Sequence, residues 1–173
     1  MKLLIPLKLL KRAFYISNLL LVSCLSFSQQ KDFVVPKNIP PFNLVLSDGV
    51  TSFNASNLEK NKPVMIIYFD PDCEHCTQFT RSVVKNIKLF SNTQIIMICG
   101  TGSINSVKKF VRDNALNKYP VIKVGTEGIY HTTMNFYHVY ITPFTALYNS
   151  NGSLIKYYRN VPAINDLVVN LKK

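Results

Sequence analysis

Val64-Met65-Ile66-Ile67-Tyr68-Phe69-Asp70-Pro71-Asp72-Cys73-Glu74-His75-Cys76 decides the architecture of this chain. Its first six residues form an unbroken apolar run, the pattern of a strand buried on both faces. Asp70-Pro71-Asp72 then ends the run, since proline cannot donate to a ladder and aspartate favours turns. Beyond the break, Phe79, Val83, Val84, Ile87 and Phe90 recur at helical spacing. Cys73 and Cys76 therefore stand at a strand-to-helix junction.

The same reading extends outward in both directions. Phe42 to Leu46 reads as a strand, Ser47-Asp48-Gly49 as a turn, and Val50 to Phe53 as the returning arm of a hairpin. Ala55 to Lys60 reads as a short helix. Downstream, Thr93 to Cys99 is a second buried strand, and Ile104, Val107, Phe110 and Val111 mark a helix with Ser103 as N-cap. Val121 to Val124 is a short strand, whereas Gly125 to Tyr140 shows no decisive period. Phe144 to Tyr148 and Leu154 to Tyr158 flank the turn Asn149-Ser150-Asn151-Gly152, and Ile164, Leu167, Val168 and Leu171 close the chain as a helix. The order βαβαβ, hairpin, α specifies an α/β fold in which right-handed crossovers lay helices over a central sheet. No internal repeat or low-complexity tract interrupts it.

Composition narrows the class. At 173 residues with 47% hydrophobic and 12% aromatic residues, the chain can bury a substantial core and is not of the disordered type. Four cysteines are too few for a disulfide-built scaffold. The net charge of +11 suggests an anionic partner until the charges are located. Lys2, Lys8, Lys11 and Arg12 precede an apolar stretch from Ala13 to Phe27 and small residues at Ser26 and Ser28, the order of an export signal. Residues 1–28 are read as that signal, 29–41 as a proline-bearing linker and 42–173 as the folded domain. Leu21-Val22-Ser23-Cys24 offers a second route, lipidation of Cys24, and an uncleaved signal would leave a membrane anchor. Each route exports the domain, to a periplasmic or membrane-associated location where a disulfide can persist. Without the four leading charges, sixteen basic groups face nine acidic ones, or +7, scattered and without a nucleic-acid-binding motif. No nucleic-acid partner is expected.

The chemistry lies in the cysteine pair. A thiol at a helix N-terminus faces unpaired N–H groups and the positive end of the dipole, which favour the thiolate at Cys73. Cys76, one turn further in, can attack the Cys73 sulfur and resolve a mixed disulfide. His75, when protonated, supports the thiolate, and Glu74 opposes it, so both modulate the pair. The alternatives are an inert structural disulfide, or half of a zinc site completed by Cys99 or by His75, His131 and His138. Zinc usually takes two such cysteine pairs, and no metal is expected here. Cys99 reads as a buried core thiol, and His131 and His138 as surface or packing residues.

From Pro41 to Lys173 the chain resembles the thioredoxin superfamily, and within it the extracytoplasmic TlpA/ResA-like thiol–disulfide oxidoreductases. The likeness is carried by the Phe42-to-Gly49 hairpin, the strand before the cysteines, Cys73-Glu74-His75-Cys76, Thr142-Pro143, and the turn and strand after Asn149. It implies a thioredoxin-like fold, a central mixed sheet flanked by helices with an N-terminal β-hairpin extension. It also implies a redox-active Cys73–Cys76 disulfide, a cis Thr142–Pro143 bond and pairing of the Thr142 backbone with an extended substrate segment. The expected partners are protein dithiols or disulfides and an upstream redox protein, with no bound cofactor. Asp72 stands where relatives often carry tryptophan, Arg81 where they carry a helix-kinking proline. Ile67 and Phe79 occupy positions where many relatives place a proton-moving carboxylate, a role left to Asp70, Asp72 or Glu74. Two other functions fit the same residues: a copper chaperone using the cysteines and a histidine, or a non-catalytic interaction module.

Overall fold

In the computed structural model, which describes residues 34–100 and 102–172, β3 (Val64–Phe69) is buried at every position. It lies between β4 (Gln94–Cys99), to which it is parallel, and β6 (Phe144–Tyr148), to which it is antiparallel. The parallel ladder runs in register from Val64↔Gln94 to Phe69↔Cys99. β5 (Ile122–Thr126) extends the parallel part on the far side of β4, and β7 (Leu154–Tyr158) pairs with β6 through the Asn149-to-Gly152 turn. The hairpin of β1 (Asn43–Leu46) and β2 (Ser52–Asn54) joins β5 antiparallel, giving a seven-stranded mixed sheet of order β2-β1-β5-β4-β3-β6-β7.

Alternation along β3 divides the core. Met65, Ile67 and Phe69 face α1 (Glu74–Lys85), α2 (Ile104–Asp113) and α4 (Ile164–Leu171), packing with Phe79, Val83, Val107, Phe110 and Leu167. Val64, Ile66 and Tyr68 face the other way, into a cluster of Phe42, Leu44, Phe144, Tyr148 and Tyr137 from α3 (Thr132–Tyr137). α1 and α2 share a face because β3, β4 and β5 advance across the sheet in one direction, and successive right-handed crossovers then stay on one side. The buried Tyr137 and Tyr148 hydroxyls satisfy each other at 2.6 Å.

Several local departures from the sequence pattern have identifiable causes. The periodicity through Phe90 is not one helix: Asn86 leaves helical geometry at φ −109°, ψ 19°, and its side chain bonds the Ser82 carbonyl. Ile87–Phe90 continue as a 3₁₀ turn that still buries Phe90. The expected helix from Ala55 to Lys60 is a single 3₁₀ turn, Ala55–Asn57, closed by reciprocal Asn54 and Asn57 caps. In the undecided 125–140 segment, α3 lies between His131 and His138, both in the left-handed region at φ 47° and 50°. Non-glycine residues there leave no compositional signal.

Residues 34–41 are irregular, with a bend at Lys37, and are fastened to the domain. Val35 is buried, Asn38 bridges Ser153, and the Leu154 N–H donates to the Lys37 carbonyl at 2.7 Å. The signal reading for 1–28, the Cys24 lipidation site and the start of the linker lie outside the described residues. Among the described residues no helix is long and apolar enough to cross a membrane.

β1 reaches β5 through only Val45↔Thr126 and Leu46↔Gly125. A Cβ on Gly125 would stand 2.7 Å from the Val45 carbonyl oxygen and 3.0 Å from Leu44 Cβ, so glycine sets the approach of the two backbones. Gly125→Val is expected to force β1 away and destabilise the domain by about 1–3 kcal/mol, read as a lower denaturant midpoint.

Candidate active site

The candidate site begins where β3 stops. The Asp70 carboxylate accepts the Asp72 N–H at 2.9 Å and its carbonyl accepts the Cys73 N–H at 3.2 Å, closing the turn that Asp70-Pro71-Asp72 encodes. Cys73 is left as the N-cap of α1, with extended backbone at φ −83°, ψ 118°. Its sulfur accepts the Cys76 N–H at 3.4 Å, the place a serine or aspartate oxygen takes in an ordinary cap. Its carbonyl accepts the Thr77 N–H at 3.1 Å, starting the helix.

Cys73 is half-buried and Cys76, one turn further in, is 1% exposed. None of the three described cysteines is in a disulfide. Against the pair from the other side comes the strand entry of β6: Thr142–Pro143 is a cis peptide, and the Cys73 thiol reaches the Thr142 carbonyl at 3.7 Å. Sequence positions almost seventy residues apart thus meet at one sulfur, because β6 lies beside β3.

The two thiols are electrostatically unequal. Partial burial pushes the Cys73 thiol up, but hydrogen bonds from the Cys76 thiol, the Cys76 N–H, the Thr142 side chain and the His75 N–H outweigh it, and the net shift is down. The Cys76 thiol is pushed up to about 12, first by burial and then by donating to Cys73 and facing its charge. The shared proton therefore stays on Cys76 and stabilises a thiolate at Cys73. An accessible nucleophile with a buried, protonated thiol behind it is suited to thiol–disulfide exchange.

Glu74 and His75 flank the pair at the exposed start of α1. His75 reaches Cys73 through its backbone N–H while its side chain is exposed. Glu74 is exposed and accepts from Gln78 at 2.9 Å. Ile67 and Phe79 are buried. Among the described residues the buried carboxylate is Glu127, whose two oxygens accept the Thr133 N–H at the start of α3. Cys99 is buried at the end of β4, its sulfur accepting the Gly102 N–H at 3.1 Å. No group of three or more His, Cys, Asp or Glu converges among the described residues. Sequence reasoning assigned Thr142 a backbone role only. The contact the fold makes is with that backbone, the Cys73 sulfur meeting the Thr142 carbonyl, and no local pattern announces it.

No protein-family model and no curated protein matches this chain. Solved structures do. A secreted Mycobacterium tuberculosis disulfide oxidoreductase homologous to Escherichia coli DsbE superposes with a TM-score of 0.64 at 16% identity, over 76% of this chain and 95% of that one. The thioredoxin domain of a Bacteroides vulgatus thiol–disulfide oxidoreductase gives 0.66 at 14% identity, over 82% and 97%. A thiol–disulfide oxidoreductase from Bacteroides fragilis gives 0.64 at 14% identity, over 79% and 98%. The fold is thioredoxin-like.

Brief treatment of the reduced protein with iodoacetamide at pH 7 is expected to modify Cys73 alone. Its rate should follow a thiolate titration below the ordinary value of about 8.5, with Cys76 unreactive until strongly alkaline pH. Peptide mass mapping against pH checks both statements; modification of Cys76 at neutral pH would contradict the asymmetry.

Proposed function

We propose that this chain is an exported thiol–disulfide oxidoreductase of the TlpA/ResA-like type, exchanging electrons with protein dithiols and disulfides through Cys73 and Cys76. The observation that carries the reading is the unequal pair at the α1 cap: one half-buried thiol held toward its thiolate, one buried thiol that keeps its proton. The structural neighbours support the same chemistry by fold.

In the reducing direction the Cys73 thiolate attacks a substrate disulfide, forming a Cys73–substrate bond and releasing the first substrate sulfur as a thiolate. Cys76 then gives up its proton and attacks the Cys73 sulfur. The Cys73–Cys76 bond forms, the second substrate sulfur leaves with the electron pair, and it takes up the proton. Two electrons have passed to the substrate, and an upstream redox protein restores the dithiol. Oxidation of a substrate dithiol runs these steps in reverse. Thr142 and Pro143 form the seat where the substrate backbone lies, and Glu74 and His75 at the helix start tune the poise. No bound cofactor enters these steps. Residues 1–28 direct export, with lipidation at Cys24 as the alternative attachment.

Cys76→Ser is expected to accumulate mixed disulfides with exported proteins on non-reducing gels, and Cys73→Ser to form none. A protein that traps nothing and neither reduces any disulfide nor oxidises any dithiol would overturn the assignment. The potential of the pair separates the directions: near about −270 mV marks a reductant and near about −120 mV an oxidant.

A further inference from the structure

Arg159 stands exposed just past β7, and its guanidinium touches both ends of the span that carries Thr142. It donates to the carbonyls of His138 at 2.9 Å and Tyr137 at 3.3 Å, where α3 ends and the helix offers no donor of its own. The same guanidinium lies 5.8 Å from the centre of the Phe144 ring and 5.5 Å from that of Tyr157. The register Thr145↔Tyr158 sets Arg159 opposite Phe144, so the ring contact follows from the pairing of β6 with β7. A single side chain thus clamps residues 138 and 144. Between them Val139 is buried, with its N–H on the Met134 carbonyl at 3.0 Å, and the Thr142 carbonyl lies 3.7 Å from the Cys73 sulfur. The ladder of β6 with β3 begins at Tyr68↔Phe144, so residues 139–143 lie beyond it.

We propose that Arg159 is a positioning residue for thiol–disulfide exchange: by closing the span 139–143 at both ends, it holds the Thr142 backbone beside the Cys73 sulfur. The inference rests on the exchange chemistry and the Thr142–Pro143 seat proposed above, and adds the group that fixes this seat without touching it. Each contact of an exposed guanidinium is modest, but two carbonyls and two rings engaged together leave it one geometry. A planar fork with two stacking faces suits this arrangement. An ammonium would keep the charge and lose both the paired donors and the faces. Without the clamp, residues 139–143 sample several arrangements, and a substrate backbone has to order them as it binds, which weakens binding.

The test follows single turnovers of the reduced full chain with two thionitrobenzoate mixed disulfides, one on the central cysteine of an alanine–serine peptide and one on free cysteine. In each, the Cys73 sulfur bonds the probe's cysteine sulfur and thionitrobenzoate leaves with the electron pair as a coloured thiolate. Cys76 then loses its proton, closes the Cys73–Cys76 bond and releases the probe thiol, which takes up that proton. Only the peptide has a backbone to lay on the seat. Arg159→Gln is expected to lower the peptide-to-cysteine ratio of second-order rates about tenfold, chiefly through a higher half-saturating peptide concentration at a similar limiting rate. Arg159→Lys is expected to recover only part of that ratio. Hydrogen exchange in Arg159→Gln should quicken about tenfold at amides 139–142 while β3 and β4 keep their wild-type protection. A wild-type ratio or wild-type exchange at 139–142 in Arg159→Gln would overturn the positioning role and leave the exchange chemistry standing. A loss equal for both probes would overturn it as well, since it reports the folded fraction or Cys73 itself. Full recovery by Arg159→Lys would overturn it by showing that charge alone suffices. A wild-type protein that treats peptide and cysteine alike would overturn the seat, and one that releases thionitrobenzoate from neither would overturn the exchange chemistry, the role of Arg159 falling with either.

Discussion

The contact between the Cys73 sulfur and the Cys76 N–H is the constraint on which the reactive end depends. It requires a helix to begin at Cys73, which requires β3 to end at Phe69 and the Asp70 turn to reverse the chain within three residues. β3 can end there with its last residue still buried because both neighbouring strands and helices from both faces enclose it. A sulfur in the cap position accepts a weaker hydrogen bond than an oxygen would. The helix start gives up some stability, and the cap atom is a sulfur held toward its thiolate.

Burial does the rest of the work on the pair. Equal exposure would leave two thiols of similar acidity. Placing Cys76 against Phe79, Val83 and the odd-numbered residues of β3 raises its thiol and makes it a donor toward Cys73. The hydrophobic core is thus part of the electrostatics of the site: what it denies to the inner thiolate it makes available to the outer one.

Much of this was legible in sequence, for physical reasons that differ by element. The doubly buried run 64–69 and the helical spacing after Cys73 are local signals, and the structure has the strand–turn–helix junction they specify. Thr142-Pro143 was recognisable only through the family likeness, since nothing in the dipeptide says that it faces Cys73. The pairing of β1 with β5, the clamp of Arg159 on residues 137–138 and the contact of the Cys73 sulfur with the Thr142 carbonyl are all long-range. Periodicity cannot reach them. α3 escaped because it is six residues long and its bounding histidines adopt a conformation that composition does not favour.

The attachment of β1 also bears on the order in which the chain can assemble. β3, β4 and their crossover helix are close in sequence and share a six-residue ladder, whereas β1 has no place to dock until β5, after two full crossovers, has been added. Closing so long a loop for two residue pairs is entropically the poorest exchange in the sheet. The hairpin is consequently secured only after β5 is in place, whereas the residues around Cys73 are carried by β3, α1 and the entry to β6.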